Sequence, residues 1–331
     1  MQLARFAVLL KGAELLKGNG SGAIASRQLM NNPVLIPHVY SFPEEQQFES
    51  EELQTFLGGE GQHFIAELKD ALTLLNQGKN IGSALKIELS DEAVTFIEQQ
   101  HNNWQHKQET SALDIQEADI WSRLQPMLQV LLVLAKKYAA VVANPPYMGQ
   151  RNMNEELKKY VNKQYPTTKS VLCTAFIEVF PMYSIEIGKY AFIVPPSWLF
   201  LSSFEKLRND LLSTQSIDSL LHLSRGVFGA DFDSVATVIN NSSSVDADAT
   251  YFEELFLKAK TDNEFKYDFK QYSKEDINLV HSEDGLQLFY PNIPQTNFSK
   301  IPGSPIAYWV SETSINIFGK DTTLKKHGTI I

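Results

Sequence analysis

The chain has 331 residues, 43% of them hydrophobic, and a formal net charge of −10. This length allows one large domain or two ordinary ones, and the composition is that of a globular protein. The single cysteine, Cys173, excludes an internal disulfide framework and favours a reducing, cytoplasmic location. The longest apolar run, near Met127 to Ala135, is too short to span a bilayer, so we expect no membrane partner.

The distribution of charge bears on possible partners. A protein that binds nucleic acid by itself is usually basic, whereas this chain is acidic. Basic residues are nevertheless grouped at Lys158, Lys159, Lys163 and Lys169, where they would suit phosphates or simply form a solvated helix face. The seven histidines form no cluster with ligand spacing, so no metal site is predicted.

The first part of the chain has helical periodicity. Apolar residues from Leu3 to Leu16 recur at helical spacing, and the Gly18-Asn19-Gly20 turn ends that helix. A loop is predicted over residues 20–42, with a short strand at Val34–Ile36 as the alternative. Further helices are predicted at Glu51–Leu57, Phe64–Leu75, Ser90–His101 and Ile115–Lys137.

The second part alternates between strands and helices. Strands are predicted at Tyr138–Ala143, Tyr190–Val194, Ile217–Leu223 and Ser234–Ile239, with helices at Lys169–Tyr183 and Phe204–Leu212. Ser170 is the expected N-cap of the first of these helices. The alternation predicts a doubly wound α/β sheet. After residue 240 a polar linker leads into a stretch of weak periodicity, which we interpret as the beginning of a second module.

The motif with chemical content is Val-Val-Ala-Asn-Pro-Pro-Tyr at residues 141–147. The apolar residues fit a strand buried on both faces, and a residue before proline is extended, so Asn144 ends the strand and faces the crevice beyond it. The Asn144 oxygen and the Pro145 carbonyl would each accept one N–H of a planar amine, and Tyr147 would stack on its ring. A base in a duplex must be flipped out to reach such a site. The alternative is a strand followed by a Pro-Pro turn.

Several further segments, in order, match a known family. The motif at 141–147, the helix Lys169–Glu178, the strand and loop Gly188–Phe200 and the loop Ser224–Ser234 are similar to successive motifs of the gamma-type N6-adenine DNA methyltransferases. Ile301–Trp309 resembles the entry to a target-recognition region. The series most resembles the PglX-type methyltransferases of BREX phage-defence systems.

The resemblance implies a function and a set of roles. It implies an enzyme, a site-specific adenine DNA methyltransferase of a restriction or phage-defence system, with S-adenosylmethionine as cofactor and double-stranded DNA with a flipped adenine as substrate. Other defence or restriction subunits are implied as partners. The Asn144-Pro145-Pro146-Tyr147 motif would hold the amine and stack on the base, and Phe228, or else Phe232, would stack on its other face.

The resemblance also implies an incomplete fold. The Gly-rich cofactor loop and the acidic end of the second strand are absent, so the cofactor-binding residues are unknown and we expect a fragment that is inactive alone. Residues 1–240 would be the C-terminal part of the catalytic domain, and residues 241–331 the start of a target-recognition or accessory region. Without the first strands, Tyr138–Ala143 would become an exposed edge. The family often has Asp at the positions of Ala139 and Val171, and Val171 accepts no hydrogen bond.

Two other functions fit the same motif. One is methylation of a protein glutamine or an RNA base, although such enzymes usually end soon after the last strand of the sheet. The other is a catalytically inactive interaction protein or a split-gene subunit, whose partner supplies the cofactor loop. The missing loop and Val171 favour the latter.

Overall fold

The computed structural model describes residues 37–223, 233–243, 248–256, 280–282 and 285–320. The chain divides into two compact units, with the boundary between Lys136 and Lys137. The described part of the first unit contains helices and no strand, whereas the second unit contains a mixed sheet with helices. Among the described helices, none combines the length and apolar character needed to cross a membrane.

The first unit is built from helices with well-defined starts. They are α1 (Ser50–Leu57), α2 (Ile65–Leu75), the short α3 (Gly78–Ile81), α4 (Asp91–Glu109) and α5 (Ile115–Ala135). The Ser90 hydroxyl accepts a hydrogen bond from the Ala93 N–H at the start of α4. Asp114 and Glu117 form a capping box at the start of α5. Helix α4 continues beyond the predicted end at His101, because its buried face extends to Trp104.

Aromatic side chains fill the core of this helical unit. Phe56 of α1, Trp104 of α4 and Trp121 of α5 are almost fully buried, and their ring centroids lie between 5.5 and 6.4 Å apart. The Trp121 Nε1 donates a hydrogen bond of 2.8 Å to Gln108 Oε1, which satisfies the polar atom of the buried indole. Burial of these three rings therefore joins three helices into one core.

The second unit contains all the described strands. They are β1 (Tyr138–Ala143), β2 (Ser184–Val194), β3 (Ser216–Leu223), β4 (Ser234–Asn240), β5 (Asp248–Phe256), β6 (Val280–Ser282) and β7 (Gly285–Pro294). Its helices are α6 (Glu155–Gln164), α7 (Leu172–Tyr183), α8 (Ser197–Phe200), α9 (Glu205–Thr214) and α10 (Glu312–Lys320). The predicted α/β class is confirmed, and the four strands predicted between Tyr138 and Ile239 are present, whereas Val34–Ile36 lies outside the described residues.

The strand order is β1-β2-β4-β3-β5-β7-β6. β1 is parallel to β2 and β3 is parallel to β5, whereas β4 runs antiparallel between β2 and β3. The sheet does not stop at residue 240, because β5 pairs with β3 and β7 pairs with β5. The segment predicted to begin a second module therefore starts with strands of the same sheet.

The two faces of the four-stranded part, β1-β2-β4-β3, differ in burial. On one face Phe192, Thr237 and Leu220 lie in register across β2, β4 and β3 and are buried. Phe180 of α7 stacks on Phe192, with ring centroids 5.8 Å apart. On the other face the neighbouring positions, such as Ala191, are only half-buried. In the described ranges, helices therefore cover mainly one face.

β1 is the terminal strand of the described sheet. Val142 is 79% exposed, so the prediction of a strand buried on both faces is wrong. The reason is that β1 pairs with β2 on one side only within the described residues. Among the described strands, the apolar residues of β1 thus lie at an unpaired edge of the sheet.

Gly188 marks an irregularity in the pairing of β1 with β2. The register shifts between Tyr138 and Ala140, and a Cβ on Gly188 would lie 3.0 Å from the Ile185 carbonyl oxygen and 3.1 Å from that of Ala139. We expect Gly188→Ala to lower the free energy of unfolding by about 1–3 kcal/mol, because backbone rather than a flexible side chain would have to move. Urea denaturation measures the change. Gly149→Ala is the control, since its Cβ would meet nothing within 4 Å.

Candidate active site

The predicted amine-binding motif lies at the carboxyl end of β1. Because β1 and β2 are parallel, this end shares one edge of the sheet with Val194, the last residue of β2. Asn144 is exposed immediately after the strand, and Pro145 is buried. The Pro146 carbonyl accepts a hydrogen bond of 2.9 Å from the Met148 N–H. Within the described part of the chain, neither the Asn144 side chain nor the Pro145 carbonyl accepts a hydrogen bond, so both acceptors predicted for the amine are available.

Tyr147 is held at this edge by its hydroxyl group. The hydroxyl donates a hydrogen bond of 3.0 Å to the Ile193 carbonyl oxygen on β2, and the side chain is half-buried. Burial raises the pKa of Tyr147, so the phenol stays protonated and remains a donor at neutral pH. One end of the aromatic ring is therefore anchored on β2, beside the motif's two acceptors.

The loop after the motif is paired with the residues that precede α7. The Gln150 N–H donates to the Ser170 carbonyl at 3.0 Å, and the Leu172 N–H donates to the Met148 carbonyl at 2.8 Å. Gly149 and Val171 form an isolated antiparallel bridge. The loop that carries the motif is thus fixed at both ends, by β1 and by this pairing.

This pairing corrects the predicted start of the helix. Helix α7 begins at Leu172, and Val171 rather than Ser170 is its N-cap. The predicted start at Lys169 is wrong because residues 166–170 form a turn and Val171 is extended against the motif loop. Val171 makes no side-chain cap hydrogen bond. Val171, the position at which the similar family often has Asp, therefore lies beside Gly149 and next to the motif.

Two contributors to this geometry were not predicted from the sequence. The Thr174 hydroxyl, buried in the first turn of α7, donates to the Val171 carbonyl at 2.7 Å or to the Thr168 carbonyl at 3.0 Å. The other contributor is the Ile193 carbonyl, which accepts the hydrogen bond from Tyr147. Every residue has a backbone carbonyl, so the residue type at position 193 could not predict this contact. The signal that the sequence offered for Thr174 was a threonine in the first turn of the predicted helix.

A cavity of about 550 Å³ lies against the sheet beside the motif. Asn144 lies at the β1 side of its lining, and the remaining lining residues come from β1, β2, β3 and β4. None of the lining side chains is charged, and Asn144, Ser219 and Thr237 are the polar ones. S-adenosylmethionine carries ribose hydroxyls and a charged amino-acid end, so these residues do not fit it.

The other predicted site residues fall outside this arrangement. Phe228 and Phe232 lie outside the described residues. Ala139 is exposed on β1, where a short methyl side chain offers no hydrogen bond. In the ranges that the structure covers, no group of three or more His, Cys, Asp or Glu side chains is placed to hold a metal ion.

Cys173, in the first turn of α7, is a buried free thiol. Burial raises the pKa of this thiol from 9.0 to about 12. The buried thiol therefore leaves the stability of the folded chain unchanged below pH 9. As the pH rises from 9 towards 12, the thiol ionises in the unfolded chain but not in the folded chain, and this lowers the free energy of unfolding. We expect the free energy of unfolding to fall by about 2 kcal/mol more in the unmodified chain than in Cys173→Ala between pH 9 and 10.5. Urea denaturation at the two pH values tests this, and equal losses in both proteins would contradict it.

Comparison with known proteins agrees with the resemblance drawn from the motifs. The chain is 34% identical over 259 residues to the adenine-specific methyltransferase BrxX of Escherichia coli O9:H4 (strain HS), covering 76% of this chain and 20% of that protein. It is 31% identical over 294 residues to the adenine-specific methyltransferase PglX of Lacticaseibacillus casei (strain Zhang), covering 86% of this chain and 23% of that protein. The chain therefore spans about a fifth of the length of these curated relatives.

Likeness to solved structures is weaker. The methyltransferase subunit of a type I restriction-modification system from Streptococcus thermophilus superposes with a TM-score of 0.31 at 16% identity, covering 41% of this chain and 35% of that one. That similarity is too low to add to the assignment. The family model for the Eco57I restriction-modification methylase, in contrast, matches residues 1–228, which is more than half of the chain. The chain belongs to the Eco57I restriction-modification methylase family.

Proposed function

We propose that this chain provides the target-amine site of an S-adenosylmethionine-dependent N6-adenine DNA methyltransferase. The observation that carries the proposal is the open end of β1, where the Asn144 carboxamide and the Pro145 carbonyl lack hydrogen-bond donors within the described residues. Beside them, the Tyr147 ring is anchored through its hydroxyl to the Ile193 carbonyl. Two acceptors next to a fixed aromatic ring match an exocyclic amine on a planar base.

The chemical role of these residues is to orient the amine. One amine N–H donates to the Asn144 oxygen and the other to the Pro145 carbonyl, so the nitrogen lone pair turns away from conjugation with the ring. The neutral amine is then the nucleophile, and its proton leaves to solvent after the methyl group has been received, so no general base is needed. Stacking on Tyr147 stabilises the base outside the duplex by about 1–3 kcal/mol, which offsets part of the flipping cost.

Double-stranded DNA with a flipped adenine is the substrate we propose. Both curated relatives, to which this chain is 34% and 31% identical, carry the name adenine-specific methyltransferase. Phe228, or else Phe232, would stack on the face of the base opposite Tyr147. Residues 1–240 would belong to the catalytic domain, and residues 241–331 would begin the target-recognition region. The first part of this second region would extend the sheet of the catalytic domain through β5 and β7.

The cofactor site would be completed by another segment. The described residues beside the motif do not fit S-adenosylmethionine, and β1 has an unpaired edge within the described sheet. We propose that a strand carrying the cofactor loop pairs with this edge, either from the same polypeptide or from a partner subunit of a restriction or phage-defence system. The buried thiol of Cys173 suits work in a reducing cytoplasm.

Titration calorimetry tests this division of the site. The 331-residue chain is titrated with S-adenosylmethionine, and we expect no binding at micromolar cofactor concentrations, because no described group holds the ribose or the amino-acid end. A micromolar dissociation constant for the chain alone would refute the division. It would also place a complete cofactor site within these residues.

The catalytic proposal is tested in cells that express the gene. Genomic DNA is digested to nucleosides and N6-methyladenine is quantified, before and after deletion of the gene and after its reintroduction. We expect the mark to disappear and to return. Methylation of glutamine or of RNA bases instead of DNA adenine would favour the corresponding amine methyltransferases.

A catalytically inactive subunit is the second candidate. The observation that favours it is the position of Val171, whose backbone pairs with Gly149 beside the motif while its side chain accepts no hydrogen bond. In that case the deletion would leave genomic N6-methyladenine unchanged. The variant Val171→Asp would then test whether a missing hydrogen-bond acceptor at this position causes the inactivity. If it does, we expect N6-methyladenine to appear in the DNA.

A further inference from the structure

A basic surface lies beside the motif loop. It consists of Arg151, Lys159, Lys163 and Lys169, which are all exposed to solvent. Residues 150–170 contain five basic residues and two acidic ones, in a chain whose net charge is −10. The surface is therefore a local reversal of the overall charge.

Helix α6 directs two of these lysines outward. Its apolar residues Leu157, Tyr160 and Val161 are buried, so the opposite face is exposed to solvent. Gln150 Nε2 donates a hydrogen bond of 2.8 Å to Asn162 Oδ1 on α6. Lys159 is three residues before Asn162 and Lys163 directly follows it, so both lie around the point where the helix meets the motif loop.

The other two basic residues belong to the segments that pair beside the motif. Arg151 follows Gln150, whose N–H donates to the Ser170 carbonyl at 3.0 Å, and Lys169 directly precedes Ser170. Tyr147 is four residues before Arg151 along the same loop. The pairing thus places positive charge from two distant parts of the sequence next to the residues proposed to hold the base.

The two acidic residues of α6, Glu155 and Glu156, are outnumbered by the four cations of this surface. Glu155 forms a long ion pair of 3.9 Å with Lys158, which is not part of the surface. Both acids lie in the first turn of the helix, where they interact favourably with its dipole. Within the described part of the chain, this ion pair does not involve Lys159 or Lys163, and neither of these lysines forms a salt bridge.

We propose that the basic surface contacts the DNA phosphates that flank the flipped adenine. This inference rests on the proposed function and names the surface that positions its substrate. An acidic protein repels DNA over most of its surface, so a local group of cations next to the base site would set the orientation of the duplex. Each phosphate that is neutralised releases counterions, which makes binding dependent on salt in proportion to the number of contacts.

The test measures how DNA affinity depends on salt. Fluorescence anisotropy of the 331-residue chain is recorded with a labelled duplex that contains an unpaired adenine, over a series of sodium chloride concentrations. We expect the triple variant Lys159→Gln/Lys163→Gln/Lys169→Gln to reduce the slope of log K against log salt by up to about 3. The matched control Lys69→Gln/Lys79→Gln/Lys107→Gln removes the same charge from the helical unit and should leave the slope unchanged.

Each outcome decides the inference. An unchanged slope in the first variant, an equal reduction in both variants, or no DNA binding by the unmodified chain at low salt would overturn it. Circular dichroism and the melting temperature show whether both variants are folded, and Lys159→Arg/Lys163→Arg/Lys169→Arg should restore the slope. The proposed function is decided separately by N6-methyladenine in the cell, so a reduced slope without adenine methylation would refute the function and retain the phosphate contact.

Discussion

Replacing Asn144 with alanine is expected to lower the rate of adenine methylation at least about 100-fold, in the range found when a single positioned polar group is removed from an active site. The carboxamide oxygen is one of two acceptors for the amine, and its loss lets the nitrogen lone pair return to conjugation with the ring. The side chain is exposed and has no hydrogen-bond donor within the described part of the chain. Stability should therefore change by no more than about 0.5 kcal/mol.

Methylation is measured as N6-methyladenine in DNA from cells in which the altered gene replaces the original. Asn209→Ala is the matched control, since it makes the same chemical change on the exposed face of α9. Methylation at the original level in Asn144→Ala would refute the role assigned to the motif. A large loss of stability in this variant would instead indicate a structural role for Asn144.

Replacing Arg208 with methionine is expected to lower the free energy of unfolding by about 3 kcal/mol or more. Arg208 of α9 is 1% exposed, and its guanidinium donates to the carbonyls of Trp198, Leu201, Gly303 and Ser304 at distances of 2.6 to 3.2 Å. Burial lowers the pKa of Arg208, but an arginine still carries its charge at neutral pH. Methionine would remove the side-chain donors of the Trp198, Gly303 and Ser304 carbonyls, whereas the Leu201 carbonyl would keep the Phe204 N–H at 3.1 Å.

Urea denaturation of the 331-residue chain measures this loss. Arg208→Lys should recover little stability, because a single ammonium group cannot reach carbonyls on both sides of the planar guanidinium. Lys206→Met is the control, since Lys206 is exposed on the same helix and should change stability by no more than about 0.5 kcal/mol. A loss below about 1 kcal/mol in Arg208→Met would contradict the prediction.

Local patterns in the sequence determined much of the second unit. Apolar runs located the strands from Tyr138 to Ile239, and the Asn-Pro-Pro-Tyr motif was placed correctly at the end of a strand. The prediction that Tyr138–Ala143 lies at an edge of the sheet agrees with its terminal position among the described strands. These features depend on neighbouring residues, because hydrophobic period and backbone restriction act over a few positions.

Strand ends and partners were less predictable. β2 begins at Ser184, six residues before the predicted start, and hydrogen bonds from a side chain distant in sequence hold its first residues. The Asn241 side chain donates to the Ser184 carbonyl at 3.0 Å and accepts from Gln215 at 3.1 Å. Periodicity reports which residues are buried, but it does not report which distant side chain satisfies a strand end.

The sequence by itself thus determined the α/β class, the main strands and the residue types able to hold an amine. Only the tertiary structure decided that β4 lies antiparallel between β2 and β3, and that Arg208 reaches carbonyls about 95 residues further along the chain. It also decided that Tyr147 is anchored to Ile193 and that the motif loop pairs with Val171. The physical reason is that these contacts involve backbone carbonyls and N–H groups, which every residue carries and which only folding brings together.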